Sequence, residues 1–330
     1  MTKKRIMSGM RPTGYLHLGN YFGALENWVR LQNDYDCFFS IVDWHALTTG
    51  YEETKDLKDN IINIAVDWIS AGLDPEKSTI FVQSAVKEIA ELHLLLSMIV
   101  PLSWLERCPT YKDQMAQLKE RNIATYGFLG YPNLQAADIM IHKAEIVPVG
   151  EDQLPHLELA REIARRFNHM YGETFPEPQA KMNQIKLLPG LDGRKMSKSY
   201  DNTIALSDSP DEIREKVRTM ITDPQRIKKT DPGHPDVCSV FAFHKVFSEG
   251  LVSEVEESCK GGTIGCVACK KQLAENIVAY MAPMYERRLT LLEDKGKIIE
   301  ILKSGNNVAR RIAKETISEV YEKMNMLELE

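Results

Sequence analysis

The sequence predicts an α/β protein, with a parallel sheet covered by helices in its N-terminal part and a mainly helical C-terminal domain. Three observations carry this. Short apolar runs alternate with segments of helical period as far as about residue 167. Strand signals then fade after Ser199, and the first strand opens through a glycine turn into a helix. Strands that alternate with helices imply parallel pairing with both faces covered, a Rossmann-type arrangement that gathers ligands at the carboxyl ends of its strands.

Taken in order, the first strand is the apolar stretch around Ile6 and Met7. Thr13-Gly14-Tyr15-Leu16-His17-Leu18-Gly19-Asn20 follows, then an amphipathic run with Leu18, Phe22, Leu25 and Val29 on one face. Residues 37–42 read as a buried strand ending at Asp43. Leu57, Ile61, Ile64 and Trp68 give residues 56–71 a helical period, and Gly72 is the expected C-cap. Residues 79–82 and 146–149 read as further strands, each followed by a helix, over 88–100 and 152–167. Beyond Ser199, helices are expected over 210–220, 241–248, 269–281 and 308–324, broken once by the proline-rich segment 223–236. The domain boundary is placed near residue 200, giving 1–199 and 200–330, with the last helix packing back on the first domain.

Composition narrows the class without naming it. A chain of 330 residues with 43% apolar and 27% charged residues has the make-up of an ordinary soluble protein with room for two domains. Its net charge of −6 argues against a generally basic nucleic-acid coat, so any such contact falls to local patches such as Arg226, Lys228 and Lys229. The basic start Met1-Thr2-Lys3-Lys4-Arg5 has no apolar signal core behind it, and no run of eighteen apolar residues occurs. Neither export nor a membrane contact is expected. The predicted compartment is the cytoplasm, where six cysteines are thiols or metal ligands.

Two motifs carry the chemistry. The glycine turn brings backbone N–H groups and a helix N-terminus to one point, where a phosphate can sit, and His17 and Asn20 add side-chain donors. Far downstream, Lys195-Met196-Ser197-Lys198-Ser199, on a loop flanked by Gly190 and Gly193, supplies the positive charge that a departing pyrophosphate requires. Either motif alone is weak and reads equally as a turn and an exposed loop. Together, in this order, they resemble the HIGH and KMSKS motifs of class I aminoacyl-tRNA synthetases.

The residues between them narrow the resemblance. Ser8-Gly9-Met10-Arg11-Pro12-Thr13-Gly14, Val42-Asp43-Trp44-His45-Ala46, Tyr131-Pro132-Asn133-Leu134-Gln135-Ala136-Ala137-Asp138 and Gly150-Glu151-Asp152-Gln153 with His156-Leu157-Glu158-Leu159 are similar to the tryptophanyl-tRNA synthetase family. Tyr131, Gln135 and Asp138 fall on one face of a helix, which presents a phenol, an amide and a carboxylate to one pocket. That segment alone leaves tyrosine open beside tryptophan; the first and last runs favour tryptophan. A synthetase-derived RNA-binding protein without catalysis is a further alternative, opposed by intact His17, Lys195 and Lys198, and a non-tRNA nucleotidyltransferase is opposed by the helical C-terminal half.

The resemblance implies activation of L-tryptophan by ATP with Mg²⁺, then transfer to tRNA(Trp). It places Asp138 at the indole N–H, Tyr131 and Gln153 at the amino and carboxylate groups, and His45 at the pocket wall. Arg11, Pro12, Thr13, Gly19 and Asn20, with Gly150, Glu151 and Asp152 near the ribose, fall to ATP. His17, Asn20, Lys195 and Lys198, with Met196, Ser197 and Ser199 shaping the loop, fall to its phosphates. A homodimer through residues 88–118 is implied as well. Cys238, Cys259, Cys266 and Cys269 are spaced C-x20-C-x6-C-x2-C, a donor set that suits tetrahedral zinc or a 4Fe-4S cluster, whereas Cys37 and Cys108 read as core. Gly261, Gly262 and Gly265 would let backbone N–H groups approach the sulfurs, and Lys260, Lys270 and Lys271 would offset their charge. Similarity to some bacterial family members favours the cluster, in a role that orders the loop meeting the anticodon.

Overall fold

The structure, a computed structural model, describes residues 3–117, 123–182 and 188–328. Five strands, β1 Arg5–Met10, β2 Asp36–Ile41, β3 Ser78–Val82, β4 Ile146–Val149 and β5 Gln179–Met182, form one parallel sheet in the order β3-β2-β1-β4-β5. The chain builds outward from β1 to β3, then crosses back to the other side of β1 for β4. The strand order therefore reverses between β1 and β4, where a crevice opens at the carboxyl ends.

Period-two alternation divides the sheet's side chains between two cores. Ile6, Phe39 and Ile80 face one, with Trp28, Trp68, Phe243, Ile277 and Leu302. Met7, Phe38 and Phe81 face the other, with Ile89, Ile139, Ile163, Ala309 and Ala313. Helices from beyond residue 200 thus enter both layers. The expected strands and helices of the first half are found within a few residues of their predicted bounds, and Gly72, at φ +110°, follows the helix Leu57–Ser70 as expected.

Several elements differ from expectation. Strand β5 carries Gln179, Ala180, Lys181 and Met182 on a half-exposed edge, so it has no apolar run to announce it. Helices Asp43–Gly50 and Val252–Lys260 were not anticipated. The helix expected to stop at 281 runs Cys266–Glu293 straight through Pro283, and the last helix, Lys295–Lys323, begins well before 308. Its buried stripe includes Gly305, Ala309 and Ala313, small residues that give a weak hydrophobic period. They are small for a reason. A Cβ on Gly305 would stand 1.8 Å from the Ile80 carbonyl oxygen, and the next residue, Asn306, accepts the Val82 N–H on Oδ1 at 2.9 Å. The last helix therefore seals the open edge of β3. Among the described residues no helix is long and apolar enough to cross a membrane.

His142, just past the helix Tyr131–Ile141, ties that helix to the sheet. Its Nδ1 lies 3.0 Å from the Asp138 carbonyl, and its ring sits 5.2 Å from Phe38 and 5.1 Å from Phe81. Burial lowers its pKa to about 4. Between the ordinary imidazole value and that one, the unfolded chain binds a proton that the folded chain refuses, so stability falls as pH drops through this window. The loss should reach about 3 kcal/mol near pH 4. His142→Phe should flatten the stability–pH slope between pH 6.5 and 4 in denaturant titrations, and an unchanged slope would place the acid sensitivity elsewhere.

Candidate active site

A cavity of about 450 Å³ occupies the crevice at the strand reversal. Gly9, Met10 and Arg11 line it from the end of β1, and Gly150, Asp152 and Gln153 from the turn after β4. Tyr131, Gln135 and Asp138 all line it from the helix Tyr131–Ile141, and His45 from the helix Asp43–Gly50. Those residues are brought together as expected. Glu151 stands exposed on the same Glu151–Gln153 turn, where Gln153 donates to Asp152 Oδ2 at 3.0 Å.

Asp138 is 3% exposed, and its donors explain how a carboxylate persists there. Gln83 Nε2 donates to both oxygens, at 2.8 and 2.9 Å, and His45 Nε2 lies 3.0 Å from Oδ2. Gln83 is itself held: its Oε1 accepts the backbone N–H groups of Trp44 at 3.1 Å and His45 at 3.4 Å. Sequence reasoning missed Gln83, since its only signal is a polar residue following a buried strand. Tyr131 is gripped in a similar way. Its hydroxyl lies 3.3 Å from His156 Nε2, whose Nδ1 lies 3.3 Å from Cys108 Sγ, and burial raises the phenol pKa. Cys108 is buried as expected, though against this polar pair rather than in plain core.

The two phosphate-type motifs meet. Lys198 Nζ donates to the Thr13 carbonyl at 3.0 Å, beside Gly14. The segment after the lysine loop pairs with the glycine motif, Leu18 N–H bonding to Ile204 O at 2.9 Å and Leu206 N–H to Leu16 O at 2.8 Å. His17 is buried with its Nδ1 unpartnered among the described residues; burial, helped by the charge of Lys198, lowers its pKa to about 4. It is a neutral imidazole at physiological pH. Asn20 Oδ1 accepts the His17 backbone N–H at 3.1 Å, which leaves the amide nitrogen as the group free to donate elsewhere. Pro12 is buried beneath this turn, and Gly19 sits against His17 and the buried Met196.

Asn202 shapes the lysine loop. Its Oδ1 accepts the Ser197 N–H at 2.8 Å, while Nδ2 donates to the Lys195 carbonyl at 3.1 Å and to Asp192 Oδ1 at 2.7 Å. A Cβ on Gly190 would stand 2.3 Å from that amide, which explains the glycine. Lys195 points out exposed, and the Ser199 side chain lies outside the described residues. Nothing in local spacing announces Asn202.

The four clustered cysteines need a correction. They share one electrostatic neighbourhood: burial first, then Cys238, Cys259 and Cys266, push the Cys269 thiol up to about 12. Among the described residues, however, no three His, Cys, Asp or Glu side chains are grouped to hold a metal ion, so the metal centre expected here gains no support from their placement. Other groups attend the sulfurs. Arg226 Nη1 lies 3.9 Å from both Cys259 and Cys266 Sγ, and His244 Nε2 lies 3.3 Å from Cys269 Sγ. Arg226 is thus turned inward, with Nη2 on the carbonyls of Lys229 and Ile264 at 2.6 and 2.7 Å, rather than offered as a basic surface patch. Lys260 pairs with Glu256, and Lys270 with the Arg218 carbonyl, so neither is the cation at the thiols.

Comparisons with known proteins agree with this geometry. The family described as tRNA synthetases class I (W and Y) matches residues 2–282. A tryptophan–tRNA ligase of Thermotoga maritima is 50% identical over 98% of this chain and 99% of its own, and one of Aquifex aeolicus is 46% identical over 98% and 100%. The crystal structure of a tryptophanyl-tRNA synthetase from Campylobacter jejuni complexed with ADP and tryptophan superposes with a TM-score of 0.90 at 38% identity, covering 98% of this chain and 100% of that one. With its parallel sheet, its paired glycine and lysine motifs and this likeness along nearly its whole length, the chain belongs to the tryptophanyl-tRNA synthetase family of class I aminoacyl-tRNA synthetases.

Proposed function

We propose that this chain charges tRNA(Trp) with tryptophan in two steps at the strand-reversal cavity, as a tryptophan–tRNA ligase. The observation that carries the reading is a donor-held buried carboxylate, Asp138, lining a cavity at the end of β1, in a chain whose glycine turn, just beyond that strand, is met by Lys198 of the lysine loop. The tryptophan carboxylate attacks the α-phosphorus of ATP in line and pyrophosphate leaves. The terminal ribose hydroxyl of the tRNA then takes the acyl group, and AMP leaves. Carboxylate is already a competent nucleophile, so the work is positioning and charge stabilisation.

The proposed roles follow the placement. Asp138 accepts the indole N–H, with Gln83 and His45 fixing its oxygens, while Tyr131 and Gln153 hold the amino-acid backbone. Gly150 and Asp152 lie toward the ribose. Arg11, Thr13, Gly19, Asn20 and neutral His17 face the phosphates, where Lys195 and Lys198 offset charge alongside the Mg²⁺ that accompanies ATP. Asp138 alone would also accept a phenol, and likeness to the Thermotoga and Aquifex ligases favours tryptophan. Residues 1–199 then carry the chemistry and 200–330 meet the anticodon. Exposed Leu94, Met98 and Leu102 offer an apolar face for a homodimer, and the cytoplasm is the compartment this work requires.

Replacing Asp138 by Asn keeps the volume but weakens the acceptor, so tryptophan KM should rise by the equivalent of about 1–3 kcal/mol. Gln83→Glu should cost more at neutral pH, because it removes both donors and faces Asp138 with a second carboxylate. ATP–pyrophosphate exchange against each amino acid reads both; an unchanged KM, or tyrosine activated best by the wild type, contradicts the assignment.

Alanine at Lys195 or Lys198 should depress kcat for exchange far more than tryptophan binding. Transfer from preformed adenylate should suffer less, since pyrophosphate has already gone. Equal losses in both half-reactions would argue against a role at the phosphates.

The cysteines keep the cluster as a proposal of the same kind. A 4Fe-4S cluster spreads four thiolates over four irons, wider than the tetrahedron around one zinc with bonds of about 2.3 Å. The preference for the cluster over zinc rests on the spacing of the four cysteines and the family resemblance. Bound there by Cys238, Cys259, Cys266 and Cys269, it would order the segment around Gly261–Gly265. Anaerobically purified protein should be brown and contain iron and acid-labile sulfide, and removing iron should impair tRNA charging while sparing exchange. Colourless protein with one zinc per chain, or with no metal, decides against it.

A further inference from the structure

Asp67 lies in the helix Leu57–Ser70, fully buried, and has no part in the substrate contacts proposed above. Its two oxygens serve different elements. Oδ2 accepts the backbone N–H of Leu16, the residue before His17, at 3.1 Å. Oδ1 accepts Nε of Arg288, from the helix Cys266–Glu293, at 2.9 Å. Arg288 is itself buried, with its guanidinium 5.6 Å from the centre of the Tyr15 ring, and Arg287 beside it donates to the Ser70 carbonyl at 2.7 Å. The glycine motif therefore hangs, at Tyr15 and Leu16, from a buried ion pair that joins two helices distant in sequence.

Packing alone does not call for such a pair, because apolar residues of similar volume often fill a site as well or better. Its use lies in the backbone it holds. Leu16 O and Leu18 N–H are committed to Leu206 and Ile204, whereas the Leu16 N–H is met by Asp67. Removing Arg288 alone would leave a buried carboxylate uncompensated. Lys198, the lysine that sits on Thr13 O, also feels the charge of Asp67.

We propose that the Asp67–Arg288 pair is a positioning device for adenylate formation. Asp67 fixes the height of the Leu16–His17 backbone, and Arg288 keeps Asp67 from drawing Lys198 off the glycine turn. The inference rests on the reading that His17 and Lys198 act at the phosphates of ATP. Its test is therefore built on variants compared with an exchange-active wild type.

Arg288→Gln should lower kcat for tryptophan-dependent ATP–pyrophosphate exchange about tenfold or more, because it strands the buried charge. Tryptophan affinity, from fluorescence titration, should stay within about twofold, since that end of the cavity is untouched. Adding Asp67→Asn keeps an amide oxygen for Leu16 and removes the stranded charge, so the double variant should recover to within about threefold of wild type. A double variant as slow as the single, an unimpaired single, or parallel losses of affinity and kcat would overturn the proposal and leave the pair as a clasp between helices. Should Arg288→Gln fail to fold, the double variant set against Asp67→Leu/Arg288→Gln decides: Asn fast and Leu slow supports the role, and equal rates overturn it. A wild type with no exchange would defeat the functional reading itself, and the positioning role with it.

Discussion

Keeping a carboxylate out of water is the constraint around which this cavity is built. At 3% exposure the Asp138 side chain needs hydrogen-bond partners from the protein, and the helix that carries it supplies none by itself. Gln83 arrives from the turn after β3 and His45 from the helix Asp43–Gly50 that follows β2. Gln83 is in turn pinned by the backbone of Trp44 and His45. Two strand ends and one helix are thus locked in mutual register by a single buried charge. Any relative movement of these elements would leave the Asp138 oxygens short of donors.

The phosphate end is assembled differently. There the lysine loop and the glycine turn meet through one Lys198–Thr13 contact and a short antiparallel pairing, with Asn202 folding the loop from within. Lys195 is exposed on this loop. On the proposed function, an exposed lysine on this loop suits a wall past which pyrophosphate leaves.

How much of this was legible in the sequence follows from what spacing can encode. Helical period placed Tyr131, Gln135 and Asp138 on one face, and alternation of strand and helix gave the parallel sheet, because both signals are local. Gln83 and Asp67 were missed, since each meets a partner whose position depends on the finished fold; Gln83 and Asp138 are 55 residues apart, Asp67 and Arg288 221. Strand β5 escaped because edge strands need not be apolar. The sulfur-rich region shows the converse risk. Spacing of Cys238, Cys259, Cys266 and Cys269 suggested a metal framework, yet among the described residues no three such side chains are grouped to hold a metal, and spacing could not foresee Arg226 and His244 beside the thiols, or that Lys260 and Lys270 would be engaged elsewhere.

The seal on β3 has a consequence for how the chain is made. Asn306, which covers the free N–H of Val82, lies 224 residues downstream. During synthesis the strand is complete long before its cover leaves the ribosome, so the nascent sheet presents an unpaired edge for many seconds at ordinary elongation rates of about 5–20 residues per second. An edge of that kind is open to pairing with a neighbouring nascent chain. The short length of β3, and a lysine and a glutamate just before it at Lys77 and Glu76, limit that hazard until the last helix docks.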